Sequence, residues 1–145
     1  MPYFMKFLIL FATCVAIALA CTCAPYPSLK HAFCAMDFVS LVRVVQRNSD
    51  DVGEFGSGFV IYHVQHLYVF RKPEQLEELS EYITTPSVSA ACGVNLTVGE
   101  YYVLGGRVDD NSTLRISLCG LRRQWNTLER NETEALSTYT CDERY

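Results

Sequence analysis

Cys21-Thr22-Cys23 follows directly on a hydrophobic leader ending Ala18-Leu19-Ala20, so removal of that leader would make Cys21 the first residue, with a free α-amino group. A neutral α-amine and the carbonyl oxygen of the same residue form a five-membered chelate, a nitrogen and oxygen pair able to fill an open position on a metal ion. An α-amine with a pKa of about 7.7 to 8.0 reaches its neutral, donating form near physiological pH. The spacing also puts a half-cystine on the chelating residue itself and another two residues on, so covalent bridges can fix the group before it meets a partner.

No other cluster in the chain has a comparable chemical reading. His63 and His66 are three apart in a strand-like run, where such side chains point to opposite faces and cannot share a metal. They read as ordinary strand residues. There is no His-Glu-x-x-His, no Gly-x-Ser-x-Gly and no phosphate loop. The cysteines read as bridge partners rather than thiolate nucleophiles. Trp125 reads as a core anchor rather than a ligand stack, and the nine tyrosines as packing residues of strands. The chain is therefore expected not to be an enzyme and to need no cofactor.

The leader has Lys6 at its start, an apolar run from Phe7 to Leu19 and small residues at the cleavage positions, which predicts a signal peptide over residues 1–20 and a mature domain over 21–145. The apolar run is shorter than the roughly 20 residues of a membrane span, and no second run follows, so a secreted, extracellular protein without a span is expected. Loss of Lys6 takes the 12 basic side chains to 11 against 16 acidic ones, a balance that argues against a nucleic-acid or polyanion partner. Arg122-Arg123 reads as a solvated turn. Cys14 leaves with the leader, and Cys21, Cys23, Cys34, Cys92, Cys119 and Cys141 remain, an even set typical of a small exported domain. Six cysteines allow 15 pairings. Cys21 and Cys23 are too close to bridge each other comfortably, and the other pairings stay open on the residues alone. Sequons at Asn95, Asn111 and Asn131 fit export, with Asn111 in a turn the best placed for sugar. A bacterial lipoprotein signal acylated at Cys21 is the disfavoured reading of the same leader.

The elements that must position Cys21 read as follows. Pro25 and Pro27 keep the start extended, and Ser28 caps a short helix over residues 30–34. Strands are predicted at 38–46, 59–70, 80–84, 94–98, 101–104 and 114–118, with a polar, glycine-dotted connection over 48–58. Ser40 and Arg43 interrupt the alternation of the first strand. After Cys119, Leu128, Ala135 and Leu136 at helical spacing predict a terminal helix over 127–136, capped by Asn126 or Thr127. Nothing repeats, so one domain is expected. Short strands with flanking short helices predict a mainly β fold, a five-stranded Greek-key barrel of the oligonucleotide/oligosaccharide-binding type.

Several of these residues together resemble one family. Cys21-x-Cys23-x-Pro25, Ala32-Phe33-Cys34, Asp37, Ala90-Ala91-Cys92-Gly93-Val94, Ile116-Ser117-Leu118-Cys119, Trp125-x-Thr127-Leu128 and Cys141 are similar to the N-terminal, netrin-like domain of the tissue inhibitors of metalloproteinases. The resemblance spans essentially all of residues 21–145. It implies the same barrel and the bridges Cys21–Cys92, Cys23–Cys119 and Cys34–Cys141.

It also implies a function: a monomeric, secreted inhibitor whose Cys21 amine and carbonyl ligate the catalytic zinc of a matrix metalloproteinase or related zinc protease, displacing the attacking water. Thr22 would enter the primed-side specificity pocket. Cys23, Ala24 and Pro25 would lie along the cleft, and Ala90, Ala91 and Cys92 would form the second half of the wedge. The zinc belongs to the target, and the extracellular matrix is a further implied partner. The chain departs from the family pattern in one extra residue between Cys23 and Cys34, in Ser40-Leu41 within the first strand, and in Ala90 where a serine is usual. A cysteine-rich second domain is not expected. A netrin-like module that binds matrix or a receptor without inhibiting is the alternative, and it has no need of a free Cys21 amine.

Overall fold

The structure, a computed structural model, describes residues 2–9, 21–49 and 58–142. Its elements are α1 (residues 2–9), α2 (Leu29–Cys34), β1 (Phe38–Ser49), β2 (Phe59–Arg71), β3 (Tyr82–Pro86), β4 (Tyr101–Val108), β5 (Leu114–Arg115), β6 (Leu121–Gln124) and α3 (Arg130–Leu136), with 3-10 turns at Ser89–Ala91 and Trp125–Thr127. The cleavage positions Ala18 and Ala20 and most of the glycine-dotted connection lie outside the described residues. No helix among the described residues is long and apolar enough to cross a membrane.

A five-stranded ring forms in the order β1-β2-β3-β5-β4 and closes because β4 also pairs with β1. All neighbours are antiparallel except β3 and β5, and the mainly β barrel with short helices and three bridged cysteine pairs is the fold the sequence predicts. Closure removes the open sheet edges that would otherwise expose unpaired backbone groups. Gly106 allows it: a Cβ there would overlap the carbonyl of Arg115, so β4 and β5 can meet this closely only at a glycine. Asp37 locks the same corner, accepting from the Val108 amide at 3.0 Å and from Arg107 at 3.2 Å.

Two apolar cores sit on the two faces of the barrel wall. Phe38, Val42, Val44, Tyr62, Val64, Ile83, Leu104 and Leu114 fill the interior. Outside, Val39 and Val103 are covered by Ala32, Phe33 and Cys34 of α2 and Leu136 of α3, with Trp125 partly buried beside them as the expected anchor. Ser28 caps α2, accepting from the His31 amide. The bridge between Cys34 and Cys141 ties α2 to the chain beyond α3, where Phe33 meets Tyr139 edge-on at 5.3 Å.

Four local expectations need correction. The 94–98 run forms no strand although it is apolar and flanked by turns. Side chains of the barrel replace its ladder: Thr85 Oγ1 accepts from the Val94 amide at 2.9 Å, the Tyr62 hydroxyl from the Leu96 amide at 3.0 Å, and the Tyr102 hydroxyl from the Thr97 amide at 3.1 Å. The 114–118 strand shrinks to β5. Arg122-Arg123 lies in β6, paired with β4, and is no turn. Finally, α3 starts at Arg130 because Trp125–Thr127 form a 3-10 turn first, and its capping residue is Glu129, whose amide donates to Glu132 at 3.0 Å.

The Tyr62 anchor has a testable weight. Its side chain is fully buried, and its hydroxyl also donates to the Val94 carbonyl at 3.3 Å. Tyr62→Phe leaves both backbone groups without this partner in the interior, and an expected loss of about 2 to 4 kcal/mol should appear in urea unfolding. A change below about 0.5 kcal/mol would mean that water reaches the segment.

The β4–β5 turn is held by Asp109. Its carboxylate accepts from the amides of Thr113 and Asn111 and from Arg115 Nε, at 2.9, 3.0 and 3.0 Å. The Thr113 amide foremost, with Arg115 and Asn111, keeps this carboxyl below the usual carboxylate value against an opposing effect of burial. A depressed folded-state pKa stabilises above the unfolded value near about pH 4 and is lost as pH falls through the folded value. Asp109→Asn should therefore lower Tm at pH 7 and converge on the parent protein in thermal melts once the pH has fallen through the folded-state value. A constant difference across that window would contradict this account.

Candidate functional site

Residues 21–27 form no helix or strand, and Thr22 through Ser28 are exposed. A free segment of this composition would be disordered, since Pro25 and Pro27 bar regular pairing and few apolar side chains are available to bury. Three long-range ties hold it. Cys21 bridges Cys92 across 71 residues of sequence and Cys23 bridges Cys119 across 96, each with Cα atoms 5.2 Å apart. The Tyr26 hydroxyl donates to the Cys119 carbonyl at 3.2 Å.

The second half of the site leaves the barrel at the end of β3. The 3-10 turn Ser89–Ala91 closes with Cys92 in the left-handed region at φ 64°, its amide donating to Ser89 at 3.0 Å. Gly93 follows against the main chain, where a Cβ would overlap the carbonyls of Pro86 and Val88. The Gly93 amide donates to Val88 at 3.0 Å, and Leu118 donates to Cys92 at 2.9 Å. Thr85 then captures Val94, so the loop is pinned on both sides of Cys92.

These ties bring the sequence-predicted residues together. Cys21, Thr22, Cys23, Ala24 and Pro25 make one strip and Ala90, Ala91 and Cys92 the other, joined at the Cys21–Cys92 bridge. Thr22, Cys23, Ala24, Pro25, Ala90 and Ala91 are exposed, while Cys21 and Cys92 are half-buried. Residues 21–25 and 88–94 carry no charged side chain. The sulfurs of Cys21, Cys23, Cys92 and Cys119 lie within 4.8 Å of one another, with Cys92 and Cys119 at 3.8 Å. Because all four are bridged, this cluster is a covalent knot and not a thiolate metal site.

Several contributors were not legible in the sequence. Tyr26 sits in a proline-flanked window, but its acceptor is 93 residues away. Gly93 belongs to a recognisable motif, yet the Pro86 carbonyl against it is a tertiary contact. His63 and His66 are separately engaged: His63 stacks on Tyr82 at 5.1 Å and meets Glu81 at 3.3 Å, while His66 bridges Ser40 Oγ at 2.8 Å and the Ser80 carbonyl at 2.9 Å. Nε2 donates to that carbonyl, and Ser40 Oγ is also within reach of the Tyr68 carbonyl at 3.0 Å. The serine that breaks the alternation of β1 is thus a satisfied buried hydroxyl.

Of the sequons, Asn95, Asn111 and Asn131 are all exposed. Asn95 lies three residues beyond Cys92, its carbonyl accepting from Arg122 at 3.3 Å. Asn111 sits on the Asp109 turn. Asn131 opens α3 with its side-chain oxygen accepting from the Glu132 amide at 2.9 Å.

Comparison with known proteins agrees with this geometry. The family model described as tissue inhibitor of metalloproteinase matches residues 19–142. The Caenorhabditis elegans protein named "Putative metalloproteinase inhibitor tag-225" is 36% identical over 118 residues, covering 78% of this chain and 74% of that protein. "Metalloproteinase inhibitor 2" of Homo sapiens is 31% identical over 136 residues, 90% of this chain, and that of Bos taurus 29% over the same length. The chain spans 60% of the length of these two mammalian proteins.

Proposed function

The chain belongs to the tissue inhibitor of metalloproteinase family, and from that premise we propose that it inhibits zinc metalloendopeptidases by presenting the Cys21 α-amine and carbonyl to the catalytic zinc. Relatives named as metalloproteinase inhibitors support the inhibitory role and the choice of partner. The same family is one of inhibitors and not of enzymes, which fits the lack of a catalytic constellation in the sequence.

The mechanism needs three things from this chain. Signal cleavage after Ala20 exposes the amine, and the mature domain is then residues 21–145. The neutral amine and the carbonyl fill the position that catalytic zinc keeps open for water. Thr22, exposed and next in line, enters the primed-side pocket, while Cys23 to Pro25 and Ala90 to Cys92 occupy the cleft on either side of the zinc. No cofactor is required of the inhibitor, since the metal is the target's. A signal peptide and three bridges support a secreted, extracellular protein, and glycan at Asn95, Asn111 or Asn131 fits that route.

The observation that carries this reading is the covalent knot that fixes Cys21 against Cys92 while leaving Thr22 exposed beside it. A segment fixed before docking loses little conformational freedom on binding, and residues 21–25 and 88–94 carry no charged side chain that docking would have to desolvate. The test is a titration of an active-site-quantified metalloproteinase catalytic domain with refolded protein beginning at Cys21. Stoichiometric loss of peptide hydrolysis is expected. Full activity in the presence of correctly bridged protein would leave the matrix- or receptor-binding module as the better reading.

A further inference from the structure

A second concavity lies beside the ridge but is made of different chemistry. It is a cleft of about 380 Å³, within the range of small-molecule sites. Its floor is apolar or bare main chain: Met36 and Ile116 are buried there, and Gly106 and Gly120 line it without side chains. The rings of Tyr26 and Phe59 form walls. Phe59 is a large apolar residue left 43% exposed at the start of β2. Two of the residues lining the cleft are cationic, Arg107 and Arg115, and none is acidic.

Both guanidinium groups are held in place while keeping donors to spare. Arg107 Nη1 meets Asp37 at 3.2 Å, and Arg115 Nε meets Asp109 at 3.0 Å with its guanidinium carbon 5.6 Å from the centre of the Phe59 ring. Each of these contacts uses one of the five N–H groups of a guanidinium, and its planar fork suits a carboxylate. An apolar trough whose lining holds no carboxylate, with two guanidinium groups each oriented by an aspartate outside the lining and each keeping further N–H donors, is complementary to a molecule with an apolar body and one anionic end.

We propose that this cleft binds a small amphipathic carboxylate, its hydrocarbon or aromatic part against Phe59, Met36 and Ile116 and its carboxylate on Arg107 and Arg115. The ligand class goes beyond the inhibitory reading and does not depend on it. Tyr26 and Cys119, which belong to the tether of the N-terminal segment, line the same cleft, so an occupant would also contact that tether.

The test compares 4-phenylbutyrate, 4-phenylbutan-1-ol and butyrate by amide chemical-shift titration of the folded protein. Saturable shifts from the first are expected at Phe59, Gly106, Arg115 and Gly120, with the alcohol about tenfold weaker or more and butyrate weaker still. Arg107→Gln with Arg115→Gln should bring the acid down to the level of the alcohol. Phe59→Ala should weaken acid and alcohol alike, and the native spectrum away from the cleft reports that each variant is folded. Equal affinity for acid and alcohol, undiminished binding to the folded double-glutamine variant, or no saturable shifts at the cleft would each overturn the proposal.

Discussion

One alanine added ahead of Cys21 is expected to weaken metalloproteinase inhibition by about a thousandfold or more while leaving Tm unchanged. The added residue turns a basic amine into a planar amide nitrogen, whose lone pair is delocalised and cannot donate to zinc. It also places a side chain where the metal must sit. The fold has no stake in the change, because the bridges of Cys21 and Cys23 are made by side chains that remain. Measurement of Ki for the two forms against the same catalytic domain, with melts run in parallel, separates these effects. The authentic form should also weaken as pH falls below the amine pKa of about 8, since the neutral fraction then drops about tenfold per pH unit. Equal inhibition by the extended protein would remove the amine from the mechanism and return weight to the binding-module reading.

Two of the bridges are expected to fail differently. Cys34–Cys141 and Cys23–Cys119 span 107 and 96 residues of sequence, so in the chain-entropy model each contributes about 4 to 5 kcal/mol by restricting the unfolded chain. Cys34→Ala with Cys141→Ala should lose stability of that order, visible as a lower urea midpoint, yet inhibit normally wherever the protein stays folded. The bridge it removes joins α2 to the chain after α3, on the outer core of the barrel and not in the ridge. Cys23→Ala with Cys119→Ala should lose similar stability and, in addition, at least about tenfold in Ki. In that variant residues 22–27 keep only the Cys21–Cys92 bridge and the Tyr26 hydrogen bond, and must be ordered at the moment of binding. Equal Ki for the two double variants would mean that the ridge needs only one bridge to be pre-formed.

The same contrast between local and distant determinants separates what was readable in the chain from what was not. Ser28 reads as a helix cap because its partner, the His31 amide, is three residues away. β1 and β2 read as strands because long β-branched runs carry their own signal. The 94–98 run carries a similar signal and fails, because Tyr62, Thr85 and Tyr102 take its amides before any strand can. β6 was hidden in a basic dipeptide, since only the neighbouring β4 gives Arg122 and Arg123 an extended ladder. Ser40 looked like a fault in an apolar strand until His66, 26 residues on, supplied its partner.

The sequence by itself determined the barrel class and, through family resemblance, the family and its three cysteine bridges. Those are properties of composition, short-range spacing and motif, and they survive without coordinates. Tertiary structure alone decided that four sulfurs meet within 4.8 Å, that Tyr26 reaches Cys119, that Gly93 must lack a side chain beside Pro86, and that two arginines rim an apolar cleft. Each of these joins residues far apart in the chain, and their separation in space is set by barrel closure rather than by any local preference of the residues involved.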